Sequence, residues 1–103
     1  MIVSGGENIS PSEIEQAISL FQNIDEVCVF GLPDKEWGEI VTVVLSSKDK
    51  SEIDFSELRI FLKEKLSSFK LPKKYFQLAE LPKSAIGKIK RSEVKKMFTS
   101  SHT

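Results

Sequence analysis

The chain is 103 residues long, enough for one compact domain around one core and too short for two. Hydrophobic residues make up 40% and charged residues 29%, an ordinary globular balance well away from the disordered and membrane classes. Net charge is formally zero, yet residues 1–54 hold 11 acids against 3 bases, about −8, while residues 55–103 hold 4 against 12, about +8. A basic half points to a polyanionic partner such as a nucleotide, a coenzyme or a nucleic acid, or else to a solvated lysine face. No apolar run approaches the roughly 20 residues that span a bilayer. No basic-then-apolar leader opens the sequence, so a cytoplasmic protein is expected. The lone cysteine, Cys28, lies in the apolar run Val27-Cys28-Val29-Phe30 and is expected to be buried and inert. No disulfide framework and no metal-ligand spacing is present.

Met1 to Val3 reads as a short strand leading into a turn at Ser4-Gly5-Gly6-Glu7-Asn8. Ser10, Pro11 and Glu13 form a helix start with a capping box, and Ile14, Ala17, Ile18 and Phe21 carry an apolar face to about Phe21. Residues 24–32 and 40–46, rich in Val and Ile, are two strands split by Pro33-Asp34 and Gly38. Asp54 and Glu57 signal a second helix start, with Leu58, Phe61, Leu62 and Leu66 on its buried face and Pro72 barring continuation. Tyr75 to Leu78 reads as a further strand, Pro82 to Gly87 as a loop, and Glu93 to Phe98 as a closing helix capped by Ser92. The polar tail, residues 99–103 with His102, is expected to be disordered. The fold class is α+β: a small three-stranded sheet with helices packed on it and a short N-terminal hairpin-like segment.

Four stretches carry chemical information. Gly5 and Gly6 after a strand allow positive φ and close backbone approach to a ligand, as in any tight turn. Trp37, the only tryptophan, sits in the polar loop Asp34-Lys35-Glu36-Trp37-Gly38-Glu39; a ring exposed for stacking on a base and a ring folded back over the sheet both fit. Phe69-Lys70-Leu71-Pro72-Lys73-Lys74 places an aromatic beside ammonium groups that can hold phosphates by charge, or form a solvated loop. Gly87-Lys88, in Leu81-Pro82-Lys83-Ser84-Ala85-Ile86-Gly87-Lys88-Ile89-Lys90-Arg91, puts a compact cation on a flexible stem at a turn. It lacks the spaced glycine and the following Ser/Thr of a phosphate-cradling loop.

In this order and at these separations the four stretches resemble the C-terminal domain of the adenylate-forming superfamily of acyl-CoA synthetases, adenylation domains and luciferases, from Ile2 to about Lys96. The resemblance implies that residues 1–103 are one lid domain of an AMP-forming acid–thiol ligase. In such an enzyme a carboxylic acid attacks Mg-bound ATP to give an acyl-adenylate, and a thiol then displaces AMP. It implies that Lys88 is the catalytic lysine, entering the site of a larger N-terminal adenylation core to meet carboxylate and nucleotide. In a second pose the loop from Ser4 to Glu7, with Gly5 and Gly6, lines the pantetheine channel of coenzyme A. Trp37 matches a position that meets the adenine of CoA, and Phe69, Lys70 and Lys73 match positions around the nucleotide phosphates.

The same resemblance puts the hinge upstream of Met1, so the chain is expected to be a piece of a longer ligase, inactive alone. Ile86 departs from the small or hydroxylated residue of many relatives. Two other readings compete: the matching domain of an enzyme that loads a carrier protein, and a non-enzymatic nucleic-acid-binding module using Phe69, Tyr75 and Phe76 among its basic residues. The acid itself is not legible.

Overall fold

Two long strands dictate the architecture, because residues 24–47 hold the densest apolar pattern in the chain. The computed structural model describes residues 1–99. Its elements are β1 (Ile2–Ser4), β2 (Glu7–Ile9), α1 (Pro11–Ser19), β3 (Ile24–Asp34), β4 (Gly38–Ser47), α2 (Phe55–Lys63), a 3-10 turn (Ser68–Lys70), β5 (Lys74–Gln77) and α3 (Arg91–Thr99). β4 is the hub. It pairs antiparallel with β3 from Ile24↔Ser47 to Asp34↔Gly38, and parallel with β5 from Thr42↔Lys74 to Leu45↔Gln77. Its first residue also meets the β1–β2 hairpin, at Ser4↔Gly38. The expected three-stranded sheet plus N-terminal hairpin is what forms.

Strand alternation sorts the core onto two faces. Val29, Val41, Val43 and Leu45 point toward α1 and α2, meeting Ile14, Ile18, Leu58 and Leu62. Cys28, Phe30, Ile40 and Val44 point the other way, meeting Leu81 and Val94, with Phe98 packed alongside. Both faces of β3 and β4 are therefore covered, which explains runs such as Val41-Thr42-Val43-Val44-Leu45 that lack polar alternation. Thr42, the polar member, is fully buried and donates its hydroxyl to Ile40 O at 3.2 Å.

The helix starts divide. Asp54 caps α2, its Oδ1 accepting the N–H groups of Ser56 at 2.9 Å and Glu57 at 3.2 Å. Ser10 makes no side-chain cap on α1 despite its extended backbone. Its expected capping-box partner, Glu13, is taken by Lys70 Nζ, 3.0 Å from each carboxylate oxygen. Helix α1 closes at Ser19 rather than Phe21, the N–H groups of Leu20 and Phe21 turning back to Ala17 and Ile18 carbonyls. Ser92 is not the cap of α3: the Lys90 carbonyl accepts Glu93 and Val94 N–H, so Ser92 lies in the first turn. Of the tail expected to be disordered, Thr99 ends α3, its hydroxyl bonded to Lys95 O at 3.2 Å. Residues 100–103, His102 among them, lie outside the described residues.

β3 and β4 also run farther than residues 24–32 and 40–46. Pro33 is tolerated because β3 is an edge strand, where a missing N–H costs no ladder bond. Asp34 Oδ2 accepts the N–H groups of Glu36 at 3.0 Å and Trp37 at 2.9 Å, shortening the connection to Lys35, Glu36 and Trp37.

On β5, Tyr75 stacks on Phe55 at 5.4 Å between centroids, with its hydroxyl buried and no protein partner among the described residues. Burial pushes its pKa up to about 12 against the opposing charge of Arg59. Tyr75→Phe removes that unsatisfied group and keeps the ring, so it is expected to stabilise the chain by about 1 kcal/mol. A urea midpoint that falls instead would show that the hydroxyl is well solvated or bonded.

Candidate functional site

The β1–β2 turn is where the sequence's paired glycines act. Gly5 and Gly6 have φ +57° and +84°, positive at both central positions as a two-residue hairpin of this twist requires. Gly5 N–H donates to Trp37 O at 2.8 Å, joining this turn to the β3–β4 turn. A Cβ on Gly5 would stand 2.9 Å from Trp37 Cε3 and 3.1 Å from Cζ3, so only glycine admits the indole there. A Cβ on Gly6 would meet nothing within 4 Å. Lys73 Nζ lies 4.4 Å from the Trp37 ring centroid, a cation–π contact that the start of β5 positions through Lys73 N–H to Val41 O at 2.9 Å. Trp37 nevertheless stays 41% exposed, and Phe69, on the 3-10 turn, 44%.

These side chains converge. A groove of about 260 Å³ is lined by Ser4, Gly5, Glu7, Trp37, Ser68, Phe69 and Lys73. Two aromatic surfaces, the bare backbone of Gly5 and the Lys73 ammonium suit a flat heterocycle with negative charge at the Lys73 side, away from the Glu7 carboxylate on the same lining. Of the residues expected to meet coenzyme A, Gly5 from the pantetheine loop and Trp37, Phe69 and Lys73 from the nucleotide set meet here, and Gly6 sits beside them. Lys70 faces elsewhere, its ammonium held by Glu13 and 5.6 Å from the Phe69 centroid.

Lys88 is on a separate surface. The segment after β5 turns back on itself through a bridge between Lys83 and Ile89, with Ser84 N–H donating to Lys88 O at 2.7 Å and Gly87 N–H to Ser84 O at 2.9 Å. Gly87 takes φ +86° at this turn, which lifts Lys88 off the body. The Lys88 side chain is exposed, and no ion pair among the described residues engages its ammonium. It borders a recess of about 310 Å³ with Glu15, Val27, Cys28, Ile89 and Arg91.

Cys28 is buried, and burial pushes its thiol up to about 11, with Arg91 pulling modestly the other way. It is no nucleophile at neutral pH. Among the described residues no group of three or more His, Cys, Asp or Glu side chains could hold a metal ion, and no helix is long and apolar enough to cross a membrane. The aromatic set of a nucleic-acid surface fails, because alternation along β5 sends Tyr75 inward against Phe55 and Phe76 to the opposite face against Phe98 at 4.5 Å. Sequence reading passed over Glu15 and Glu26, whose partners lie far along the chain.

Comparison with known proteins identifies the family of the fold. The chain is 40% identical over 95 residues to a 2-succinylbenzoate–CoA ligase of Listeria monocytogenes, covering 92% of this chain and 20% of that protein. It is 39% identical over 98 residues to a feruloyl-CoA synthase of an Amycolatopsis species, covering 95% and 20%. Its fold superposes on a Mycobacterium tuberculosis fatty acyl CoA synthetase with TM-score 0.90 and 34% identity, over 98% of this chain and 20% of the other. The chain thus spans about a fifth of the length of the curated relatives it matches. Residues 13–88 match the family of AMP-binding enzyme C-terminal domains, and the chain belongs to that family.

Proposed function

We propose that the chain is a single lid domain of an AMP-forming acid–CoA ligase, serving two steps in turn on a larger adenylation core. The observation that carries this reading is the separation of two differently built surfaces on one sheet. Cys28, beside Lys88, and Asp34, which forms the Trp37 turn, are six residues apart on β3, about 20 Å at the rise of an extended strand. One core pocket receives one of these two surfaces at a time.

In the first pose Lys88 brings its ammonium to the carboxylic acid and ATP, where the attacking carboxylate and the α-phosphate crowd negative charge together. A cation fixed there favours the transition state over the separated reactants. Among the described residues the side chain has no ion-pair partner to give up, which suits a residue that docks elsewhere. In the second pose the Gly5–Gly6 turn borders the pantetheine path, where side chains would obstruct a narrow channel. Trp37 and Phe69 then flank the adenine of CoA, with Lys73 near its phosphates, and Lys70 joins them on leaving Glu13. Mg-bound ATP and the acid are held mainly by the core, and the cytoplasm is the compartment that supplies both nucleotides.

The groove supports free CoA over a carrier-bound thiol, because a carrier presents its arm without an adenine. With the chain joined in frame to an adenylation core, thioester formation is expected with free CoA and not with a pantetheinylated carrier protein. Acceptance of the carrier alone would overturn the CoA reading. Tight, salt-sensitive binding of RNA by the isolated chain would overturn the enzymatic one.

A further inference from the structure

The stretch that carries Lys88 is a turn with little core of its own, yet a lysine acting on a reacting centre needs a fixed base. Both ends of that stretch are tied down by carboxylates. At the far end, Arg91 Nη2 donates to Glu15 Oε2 at 2.7 Å, and the same oxygen accepts Val29 N–H at 2.8 Å. Glu15 thus ties three elements together: α1, which carries it, the open edge of β3, and the start of α3. At the near end, Glu26 receives Lys83 Nζ on Oε2, while its Oε1 accepts Leu81 N–H at 3.0 Å and the Ser46 hydroxyl at 2.9 Å. That carboxylate joins β3, β4 and the stretch entering the Lys88 turn. Between the two anchors the Lys83–Ile89 bridge closes the hairpin, and Lys88 N–H donates to Ser84 Oγ at 3.3 Å.

We propose that Glu15 and Glu26 are positioning residues that hold the Lys88 hairpin from both ends, through Arg91 and Lys83. The proposal rests on the reading of Lys88 as the adenylation lysine. Burial raises the Glu26 carboxyl, but its bonds from Lys83, Leu81 and Ser46 more than offset this and leave it below the ordinary range. Lys83 and Arg91 are each raised by the hydrogen bond to their carboxylate, so both cations stay charged at neutral pH. Both cations are partly open to solvent while Glu26 and Glu15 are only 14% and 20% exposed, so each pair is screened on one side and fixed by its carboxylate on the other. Their removal should loosen the hairpin without unfolding the sheet, which makes the role separable from a purely structural one.

The test uses Glu15→Gln, Glu26→Gln, the double variant and, in parallel, Lys88→Ala, each in the chain joined to an adenylation core. Pyrophosphate release in the first half-reaction is expected to fall roughly 10-fold for each single change and roughly 100-fold for the double, as a displaced catalytic group predicts. Thioester formation from supplied acyl-adenylate should hold. Arg91→Lys and Lys83→Arg should retain adenylation that Arg91→Gln and Lys83→Gln lose. In the 103-residue chain, amide exchange at Ser84, Gly87 and Lys88 should quicken in the double variant while that at Val43 and Leu45 stays slow. Full adenylation in the double variant beside a crippled Lys88→Ala would overturn the anchoring role. So would an equal fall of both half-reactions with faster exchange at Val43 and Leu45. Full adenylation in Lys88→Ala would sink the parent reading and the anchoring role with it.

Discussion

Lys88→Ala, in the chain joined to an adenylation core, is expected to slow acyl-adenylate formation by roughly 100- to 1,000-fold, the range for deleting one fixed electrostatic group. That is about 3–4 kcal/mol of transition-state stabilisation. Thioester formation from supplied acyl-adenylate should change by less than about twofold, because Lys88 borders a recess that shares no lining residue with the groove of Trp37 and Lys73. The folding cost should be near zero: the side chain is exposed and engages no carboxylate among the described residues. Equal thermal midpoints for parent and variant, with a burst of pyrophosphate lost only in the variant, is the expected pair of results. Loss of both half-reactions in parallel would refute the role.

Gly5→Val should produce the complementary defect. A β-branched residue at φ +57° is strained by about 1–2 kcal/mol. Its Cβ would stand 2.9 Å from the indole, which must move at a cost of about 1–3 kcal/mol. Together these predict a chain destabilised by about 2–5 kcal/mol, read as a lower urea midpoint with unchanged slope. Displacing Trp37 also opens the cation–π contact with Lys73, so CoA-dependent thioester formation should fall more than adenylation. Gly6→Ala supplies the comparison, since it meets strain at φ +84° but no neighbour within 4 Å. Equal effects of Gly5→Val and Gly6→Ala would show that the Trp37 contact is unimportant.

Features coded by near neighbours were legible in the sequence. Asp54 capping α2, and Leu58 and Leu62 on its buried face, follow from spacing alone and appear as expected. The Val- and Ile-rich strands were found for the same reason, while their ends were not: Pro33-Asp34 reads as a loop until the Asp34 carboxylate is seen gathering the turn behind it. Ser10 makes no cap, and the Glu13 carboxylate that would complete its box is held by Lys70, 57 residues away. Trp37 was left between two readings, and each describes part of it: one edge lies against Gly5, Lys73 sits over the ring, and much of its surface is open. Glu15–Arg91 and Glu26–Lys83 join residues 76 and 57 apart, and no local pattern announces such pairs.

The ladder between β3 and β4 runs unbroken in partner from Glu26↔Ser46 to Asp34↔Gly38, with helices braced on both sides. Such a beam resists bending, so its tips cannot approach one another by flexing. On the two-pose proposal, exchanging the Lys88 hairpin, beside mid-strand Cys28, for the Trp37 turn at the end of β3 would be a rigid-body swing, in which torque passes through the strands without rupturing a rung. Stiffness of this kind makes the stroke length a property of the strands themselves: each residue pair between Cys28 and Asp34 sets about 7 Å of the reach.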